Sequence, residues 1–182
     1  QYNIEYYPPE LKSKVLHFPL PLGSYVSNFS QDKIENRVIF FGSPSPRRTQ
    51  IIIILRQQYG IKVDLINETG DLLNAVLAKS KVILNLHYGT DSLLETARIN
   101  ICLANSTATI ISEESIDTEI MKIYEDGITF VPVIDNNMSN IDILASNIND
   151  ALNKDKLVSD HIPIVDNINA SITKRDVASQ IF

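Results

Sequence analysis

From Arg37 onward the sequence alternates short apolar runs with longer segments that carry helix signals. Short apolar runs without a polar face are typical of strands that are buried on both faces of a parallel sheet. Such runs occur at residues 38–42, 61–66, 81–88, 108–112 and 128–134. Helices are predicted at residues 46–59, 71–78, 93–104, 117–124 and 141–152, and from about 173 onward. The alternation predicts an α/β fold, a Rossmann-like parallel sheet with helices on both faces and right-handed crossovers.

Proline and glycine mark several of these boundaries. Pro46 stands where a helix can begin and Gly60 where it can end. Four consecutive isoleucines, residues 51–54, lie between them and could also form a strand. The flanking residues favour the helix. Pro132 lies in the fifth apolar run, which indicates an edge strand or a strand end because proline cannot donate to a ladder.

The 182 residues are enough for one domain with an ordered extension. Residues 1–37 are punctuated by prolines and predict an extended segment or interdomain linker, with one short strand at 14–18. Residues 38–155 form the predicted Rossmann-like domain, and 156–182 a helical tail that packs on it. The chain begins at Gln1 rather than Met, which suggests an excised piece whose start need not be the natural one.

Charge and cysteine content narrow the class of protein. The formal net charge of −6 argues against binding along a nucleic-acid backbone, although local basic groups could still bind a small phosphorylated ligand. The single cysteine, Cys102, lies on the apolar stripe of a predicted helix, so we expect a buried hydrophobic side chain rather than a reactive thiol. No apolar run approaches the ~18 residues of a membrane span and no signal-peptide pattern is present. We therefore expect a cytoplasmic protein.

The first candidate ligand loop follows the first predicted strand. Gly42 would let a ligand approach the backbone, Ser43 offers a hydroxyl, and Arg47 and Arg48 could form forked contacts with phosphate oxygens near a helix start. The loop matches neither a G-x-G-x-x-G fingerprint nor a P-loop. A capped helix with solvated arginines explains the same residues equally well.

The second candidate lies between the third strand and the next helix, from His87 to Glu95. Ligands of open α/β sheets bind at the carboxyl ends of strands, where helix N-termini favour phosphate groups. A carboxylate there can accept two ribose hydroxyls, but Glu95 is also explained as a charge in a first helical turn. His87 is also explained as a strand-end histidine bonded to backbone. Arg98 could simply pair with Glu95.

A third polar stretch, Ser112–Ser115, follows the fourth strand. Its two carboxylates, Glu113 and Glu114, could contact a ligand, but a solvated turn is the favoured interpretation. The sequence holds no Cys/His cluster with metal-ligand spacing, and His17 and His161 lie in the extension and the tail. We therefore expect neither a metal site nor a bound cofactor.

With these residues identified, roughly residues 17–155 resemble the C-terminal, donor-binding half of GT-B glycosyltransferases of the family 1 and 4 type. The similarity is strongest to the bacterial and viral branch with an FFG-x-x-x-x-RR segment and an LNLH…LET-R segment. Residues 17–23 are similar to the interdomain linker of that family. Four motifs in the same order carry the resemblance, at residues 38–48, 78–87, 94–98 and 110–113.

The resemblance implies a role for each matching residue. Many retaining members carry a Glu-x7-Glu pattern, and here its spacing is kept as His87-x7-Glu95. Glu95 would hold the nucleotide ribose, while His87 replaces a carboxylate near the donor sugar and is the candidate catalytic residue. That replacement leaves the role of His87 and the stereochemistry open. The implied donor-binding residues are Gly42, Ser43, Arg47, Arg48, Tyr88, Gly89, Thr90, Glu95 and Arg98.

The expected function is therefore a metal-independent hexosyltransferase whose donor substrate is a nucleoside-diphosphate sugar. A whole GT-B enzyme has an N-terminal acceptor-binding domain that this chain lacks, so we expect the isolated chain to bind donor without transferring sugar. A non-catalytic module that keeps the fold, and binds a nucleotide sugar or carbohydrate, is the alternative. A flavodoxin- or receiver-like signalling domain fits less well, because no acidic cluster follows the first strand.

Overall fold

The computed structural model of the chain describes residues 8, 9, 34–154 and 158–180. Its strands are β1 (Glu35–Phe41), β2 (Val63–Ile66), β3 (Ser80–Asn85), β4 (Thr109–Glu113) and β5 (Ile128–Val131). The helices of residues 34–154 and 158–180 are α1 (Pro46–Tyr59), α2 (Gly70–Lys79), α3 (Thr96–Asn105), α4 (Thr118–Tyr124), α5 (Ile141–Asn153) and α6 (Val158–Gln180). The predicted strand at 14–18 and nearly all of the predicted extension lie outside these residues.

The strands form one parallel sheet in the order β2-β1-β3-β4-β5. Val38 on β1 pairs with Val63 on one side and with Val82 on the other. The predicted Rossmann-like α/β fold is confirmed. Strand order reverses between β1 and β3, and in a doubly wound sheet that reversal opens a crevice at the carboxyl ends of the strands. The same strand order occurs in flavodoxin-like folds.

The core consists of two apolar layers, one on each face of the sheet. Successive strand residues alternate between them: Ile39 belongs to one layer, Val38 and Phe40 to the other. Helices α1 and α5 cover the face that contains Val38, whereas α2, α3 and α6 cover the face that contains Ile39. Cys102 lies in the layer that contains Ile39, where burial raises the pKa of its thiol to about 12. The prediction of a buried hydrophobic cysteine is confirmed.

The boundaries of α1 follow the predicted signals. The Ser45 hydroxyl accepts a hydrogen bond from the Arg48 backbone N–H at 3.2 Å, and Pro46 opens the helix. Gly60 closes it in the left-handed conformation, with φ of 69°. The isoleucine run is helical, and only some of its side chains reach the core. Pro132 follows β5, which is an edge strand, and that prediction is also confirmed.

Two helix starts differ from the prediction. Helix α3 begins at Thr96 rather than at residue 93, so Glu95 occupies the N-cap position instead of the first turn. Helix α6 begins at Val158, well before residue 173, and it contains Pro163. The proline and a weak apolar period concealed that start. The buried side chains of α6 are spaced as one helical stripe: His161, Val165, Ile168 and Ile172.

None of the helices described is both long and apolar enough to cross a membrane.

Packing of α6 against the sheet face can be tested at Gly127. A Cβ added there would lie 2.9 Å from Ile168 Cδ1 and 3.1 Å from Leu103 Cδ2. We expect Gly127→Ala to lower the free energy of unfolding by about 1–3 kcal/mol, because the added methyl overpacks the core. Urea unfolding measures the change. Gly89→Ala is the matched control, since no heavy atom lies within 4 Å of its Cβ position.

Replacing Ile168 by Val removes the Cδ1 atom that causes the closest contact. The cost of Gly127→Ala should therefore be smaller in an Ile168→Val background, by a coupling free energy that a double-mutant cycle gives directly. Equal costs in both backgrounds would contradict the packing of α6 described above.

Candidate functional site

Two loops meet where the strand order reverses. The loop after β1, residues 42–45, leads into α1 and places Arg47 and Arg48 in the first helical turn. The loop after β3, residues 86–95, leads into α3. Both lie at the carboxyl edge of the sheet, where an open α/β fold binds ligands. The structure therefore brings together the two loops that the sequence singled out.

Arg47 is a buried cross-link between strand ends. Its guanidinium donates to both carboxylate oxygens of Glu113, with Nη1 3.0 Å from Oε2. It also donates to the carbonyl oxygens of Ile134 (3.1 Å from Nε) and His87 (2.8 Å from Nη1). A further bond from Nη2 to the Ile134 carbonyl oxygen completes the set. All five N–H groups of this guanidinium thus face protein acceptors, leaving none for a phosphate in this conformation.

Glu113 completes the same network. It is fully buried and accepts hydrogen bonds from the backbone N–H groups of His87 (2.7 Å) and Ile134 (2.9 Å). The Arg47–Glu113 pair thereby joins the β1–α1 loop to the ends of β3, β4 and β5. The prediction of a solvated turn was wrong for Glu113 and holds only for the exposed Glu114. The alternative of two solvated arginines was also wrong, because Arg47 and Arg48 are both buried.

Glu95 is the acceptor at the centre of the crevice. Although it occupies the N-cap position of α3, its side chain caps no backbone N–H. Its Oε2 accepts from Asn85 Nδ2 at 3.0 Å and lies 2.9 Å from His87 Nδ1. Its Oε1 accepts from Arg48 Nη2 at 3.3 Å, and Arg98 Nη1 lies 4.0 Å away. The side chain keeps 24% exposure, so one oxygen still faces the open side.

His87 is fully buried directly behind Glu95. Its Nδ1 faces the Glu95 carboxylate, and its Nε2 lies 2.9 Å from the carbonyl oxygen of Glu114. A carbonyl oxygen can only accept, so Nε2 carries a proton. A second proton on Nδ1 suits the carboxylate, and the arrangement therefore favours the imidazolium. Both ring nitrogens are committed inside the protein.

The pKa values of this pair shift in opposite directions. Burial lowers the pKa of His87, but the hydrogen bond and charge of Glu95, with Glu113 nearby, outweigh it and leave that pKa above its ordinary value. Burial likewise raises the pKa of Glu95, but His87, Asn85 and Arg98 outweigh it and leave that pKa below its ordinary value. Both shifts favour the charged form of the group, so the two side chains stabilise each other as an ion pair.

Arg48 and Arg98 lie on the aromatic side of the crevice. Arg48 donates to the carbonyl oxygens of Leu86 (2.9 Å) and Ser43 (2.7 Å). Its guanidinium carbon lies 5.3 Å from the centroid of the Phe40 ring and 5.4 Å from that of Tyr88. Burial, with the charge of Arg98 beside it, lowers the pKa of Arg48 from its ordinary value.

The charges of these groups do not cancel. Arg47 is matched by Glu113, whereas Arg48, Arg98 and His87 share the single carboxylate of Glu95. With His87 protonated, the crevice carries a surplus of two positive charges. The whole chain carries a formal net charge of −6, so the charge of this site is opposite in sign to that of the chain. Such a site is suited to an anion that also offers hydroxyl groups to Glu95.

The remaining predicted donor-binding residues line the open side of the crevice. Tyr88 is 62% exposed, Gly42 and Ser43 are exposed, and Gly89 and Thr90 are partly exposed. Gly42 also accommodates a protein side chain. A Cβ there would lie 2.7 Å from Arg98 Nη2, so the glycine makes room for this guanidinium. The position has a φ of +134°, which also favours glycine.

Sequence reasoning missed Asn85, the last residue of β3. It is 1% exposed and contacts Glu95, Arg98 and Ser112. An amide inside an otherwise apolar strand run was the available signal, since a buried polar side chain needs partners. Among the residues described, no three or more His, Cys, Asp or Glu side chains are grouped so as to hold a metal ion.

The comparisons with known proteins leave the family open. No family model matches the chain. The chain is 37% identical over 102 residues to uncharacterized protein L138 of Acanthamoeba polyphaga mimivirus. That match covers 54% of this chain and 11% of the viral protein, so the chain spans only a small part of its relative. The likeness indicates shared ancestry with part of a much longer viral protein.

The buried network can be tested by comparing two adjacent carboxylates. Glu113→Gln leaves the Arg47 guanidinium buried without its counter-charge, so we expect it to lower the free energy of unfolding by about 3–5 kcal/mol. Glu114→Gln changes the same charge on an exposed side chain, and we expect less than about 0.5 kcal/mol. Denaturant unfolding of both variants measures the difference. Similar small effects would show that the Arg47–Glu113 pair is not an essential cross-link.

The His87–Glu95 ion pair predicts a definite pH dependence. A folded-state pKa above the ordinary 6.5 stabilises the protein below that pH, and the contribution is lost as pH rises through the folded-state pKa. NMR titration of the His87 ring should give a pKa above 6.5. In Glu95→Gln the pKa of His87 should fall, because the carboxylate charge that opposes the effect of burial is removed. A wild-type value at or below 6.5 would contradict the ion pair.

Proposed function

We propose that this chain is the donor-binding part of a glycosyltransferase and binds a nucleoside-diphosphate sugar without a metal ion. The observation that carries the proposal is that Arg48, Arg98 and the His87 imidazole surround one partly exposed carboxylate at the switch point of the sheet. A diphosphate supplies the negative charge, and a ribose supplies the hydroxyls. The resemblance of the four sequence motifs to the donor half of GT-B enzymes supports the same ligand.

Four residues would contact the three parts of the ligand. Arg48 and Arg98 would contact the phosphate oxygens, because each keeps N–H groups that no acceptor among the described residues occupies. Glu95 would accept ribose hydroxyls through Oε1, the oxygen with fewer close donors. Tyr88, exposed at the rim, offers a ring face on which a base could stack. Arg47, which was expected to face the diphosphate, would act by fixing the strand ends.

The proposed chemistry relies on fixed charge. When the bond between sugar and diphosphate breaks, negative charge grows on the leaving phosphate. Guanidinium groups held in place beforehand stabilise that charge without reorganising during the reaction. His87 has both ring nitrogens inside the protein, so we assign it a positioning role: it holds Glu95 anionic and in place. The acceptor and any catalytic base would come from another domain.

One observation favours the alternative of a binding module without transferase activity. The residue that replaces a carboxylate near the donor sugar, His87, is fully buried, and both of its ring nitrogens contact protein groups. A protein that only binds a nucleotide sugar needs the cations and Glu95 but no reacting group. Sugar transfer or donor hydrolysis by the full-length protein would exclude this alternative.

Donor binding can be measured by thermal unfolding with UDP, GDP, dTDP and their sugars. At a hundred times the dissociation constant, a ligand adds ~2.7 kcal/mol of stability and shifts the Tm visibly. We expect one base to be selected. Glu95→Ala should weaken binding by ~1.5–3 kcal/mol, since a hydrogen bond to a charged group is lost.

Glu114→Ala is the matched control, because Glu114 is an exposed carboxylate whose side chain lies outside the Glu95 cluster. No Tm shift with any nucleotide would contradict donor binding by this chain. Equal binding by folded Glu95→Ala and wild type would remove Glu95 from the site.

A further inference from the structure

We propose that Asn85 is a neutral spacer that holds Arg98 beyond hydrogen-bonding distance of Glu95, so that Arg98 is the main contact for a multiply charged phosphate ligand. This inference deepens the proposed function and rests on it. It assigns a positioning role to a buried residue that the sequence did not single out.

The orientation of the Asn85 amide is fixed by its partners. Its Nδ2 donates to Glu95 Oε2 at 3.0 Å and to Ser112 Oγ at 2.9 Å. The Ser112 hydroxyl donates its own proton to the Glu113 carbonyl oxygen, so it can only accept from Asn85. On the other side, Asn85 Oδ1 accepts from Arg98 Nη1 at 2.9 Å. The amide therefore stands between the Glu95 carboxylate and the Arg98 guanidinium: its NH2 group donates to the carboxylate, and its oxygen accepts from the guanidinium.

That separation changes what Arg98 can do. Glu95 and Arg98 stand three residues apart at the start of α3, a spacing that normally allows an ion pair. Here the nearest charged atoms are 4.0 Å apart, and within the part of the chain that the structure describes Arg98 donates its one hydrogen bond to the neutral amide. Its guanidinium lies against Phe40 and Phe41, each 5.8 Å from ring centroid to guanidinium carbon, in the space left by Gly42.

The three arginines of the site thus differ in free hydrogen-bonding capacity. With acceptors from residues 34–154 alone, Arg47 uses all five N–H groups, Arg48 uses three, and Arg98 uses one. Arg98 is also partly exposed, at 16% of its side chain. A phosphate that enters the crevice therefore finds its largest set of unused donors on Arg98. The fork of a guanidinium can contact two oxygens at once, which suits a diphosphate.

The test uses inorganic pyrophosphate as the probe and isothermal titration calorimetry as the measurement. Asn85→Asp places a carboxylate between Arg98 and Glu95. The new carboxylate would pair with Arg98 and repel Glu95. We expect this variant to bind pyrophosphate about tenfold or more weakly, as expected when a charged hydrogen bond is lost. Asn153→Asp is the matched control: it adds the same charge at the far end of α5, and we expect unchanged affinity.

A double-mutant cycle separates positioning from general damage to the fold. Arg98→Gln should weaken pyrophosphate binding by a similar factor, and adding Asn85→Asp to it should cause little further loss, because Asn85 acts through Arg98. Independent, multiplicative losses would overturn the proposal. If Asn85→Asp does not fold, Gly42→Ala displaces the same guanidinium and should likewise weaken binding; unchanged affinity of that folded variant would overturn the proposal.

The outcomes distinguish this inference from the proposed function. In one outcome the wild type binds pyrophosphate, Asn85→Asp weakens that binding, and no nucleotide sugar binds. This outcome would support the spacer role of Asn85 and reject a nucleotide sugar as the ligand. Nucleotide-sugar binding that Asn85→Asp leaves unchanged would reject the spacer alone. Failure of the wild type to bind pyrophosphate or any nucleotide would reject both.

Discussion

The ion pair between Arg47 and Glu113 is the interaction on which the geometry of the site depends. Parallel strands end side by side, and nothing in a ladder of backbone hydrogen bonds fixes the loops beyond those ends. Here one guanidinium and one carboxylate, both buried, bind the chain after β1, β3, β4 and β5 together. A buried pair costs desolvation on both sides, so its value lies in geometry rather than in net stability. Both members of the pair bond to the backbone of His87, whose ring contacts Glu95, so the pair fixes the position of these two residues.

A second consequence is a division of roles among like residues. Three arginines lie at one strand edge. Arg47 donates all five N–H groups to protein acceptors, whereas Arg98 donates one hydrogen bond, to a neutral amide, among the described residues. Of two adjacent glutamates, Glu113 is buried and Glu114 is exposed. Residue type and sequence proximity cannot separate these roles. Packing determines which charged side chains pair inside the protein and which remain able to contact a ligand. In this crevice more cationic groups than carboxylates remain.

The sequence predicted the fold more fully than the site. Apolar runs and caps such as Ser45 and Gly60 are local signals, so strand number, helix α1 and the edge position of β5 followed from them. The α6 start was missed because Pro163 interrupts its pattern. Site contacts depend on residues far apart in the chain. Arg47 meets Ile134, and Asn85 meets Ser112, only after the strands align. The burial of Glu113 therefore had no local signature, and the amide of Asn85 in an apolar run indicated a buried polar group but not its partners.

The most direct test of this account is the arginine side-chain NMR spectrum during titration with the nucleoside diphosphate that binds best. The Nε–H resonances of Arg47, Arg48 and Arg98 can be assigned by single Arg→Lys substitutions. We expect the Arg98 resonance to shift most, Arg48 less, and Arg47 to stay nearly unchanged because its donors are already occupied by protein. A large shift at Arg47 with none at Arg98 would contradict the assignment of one arginine to the fold and the others to the ligand.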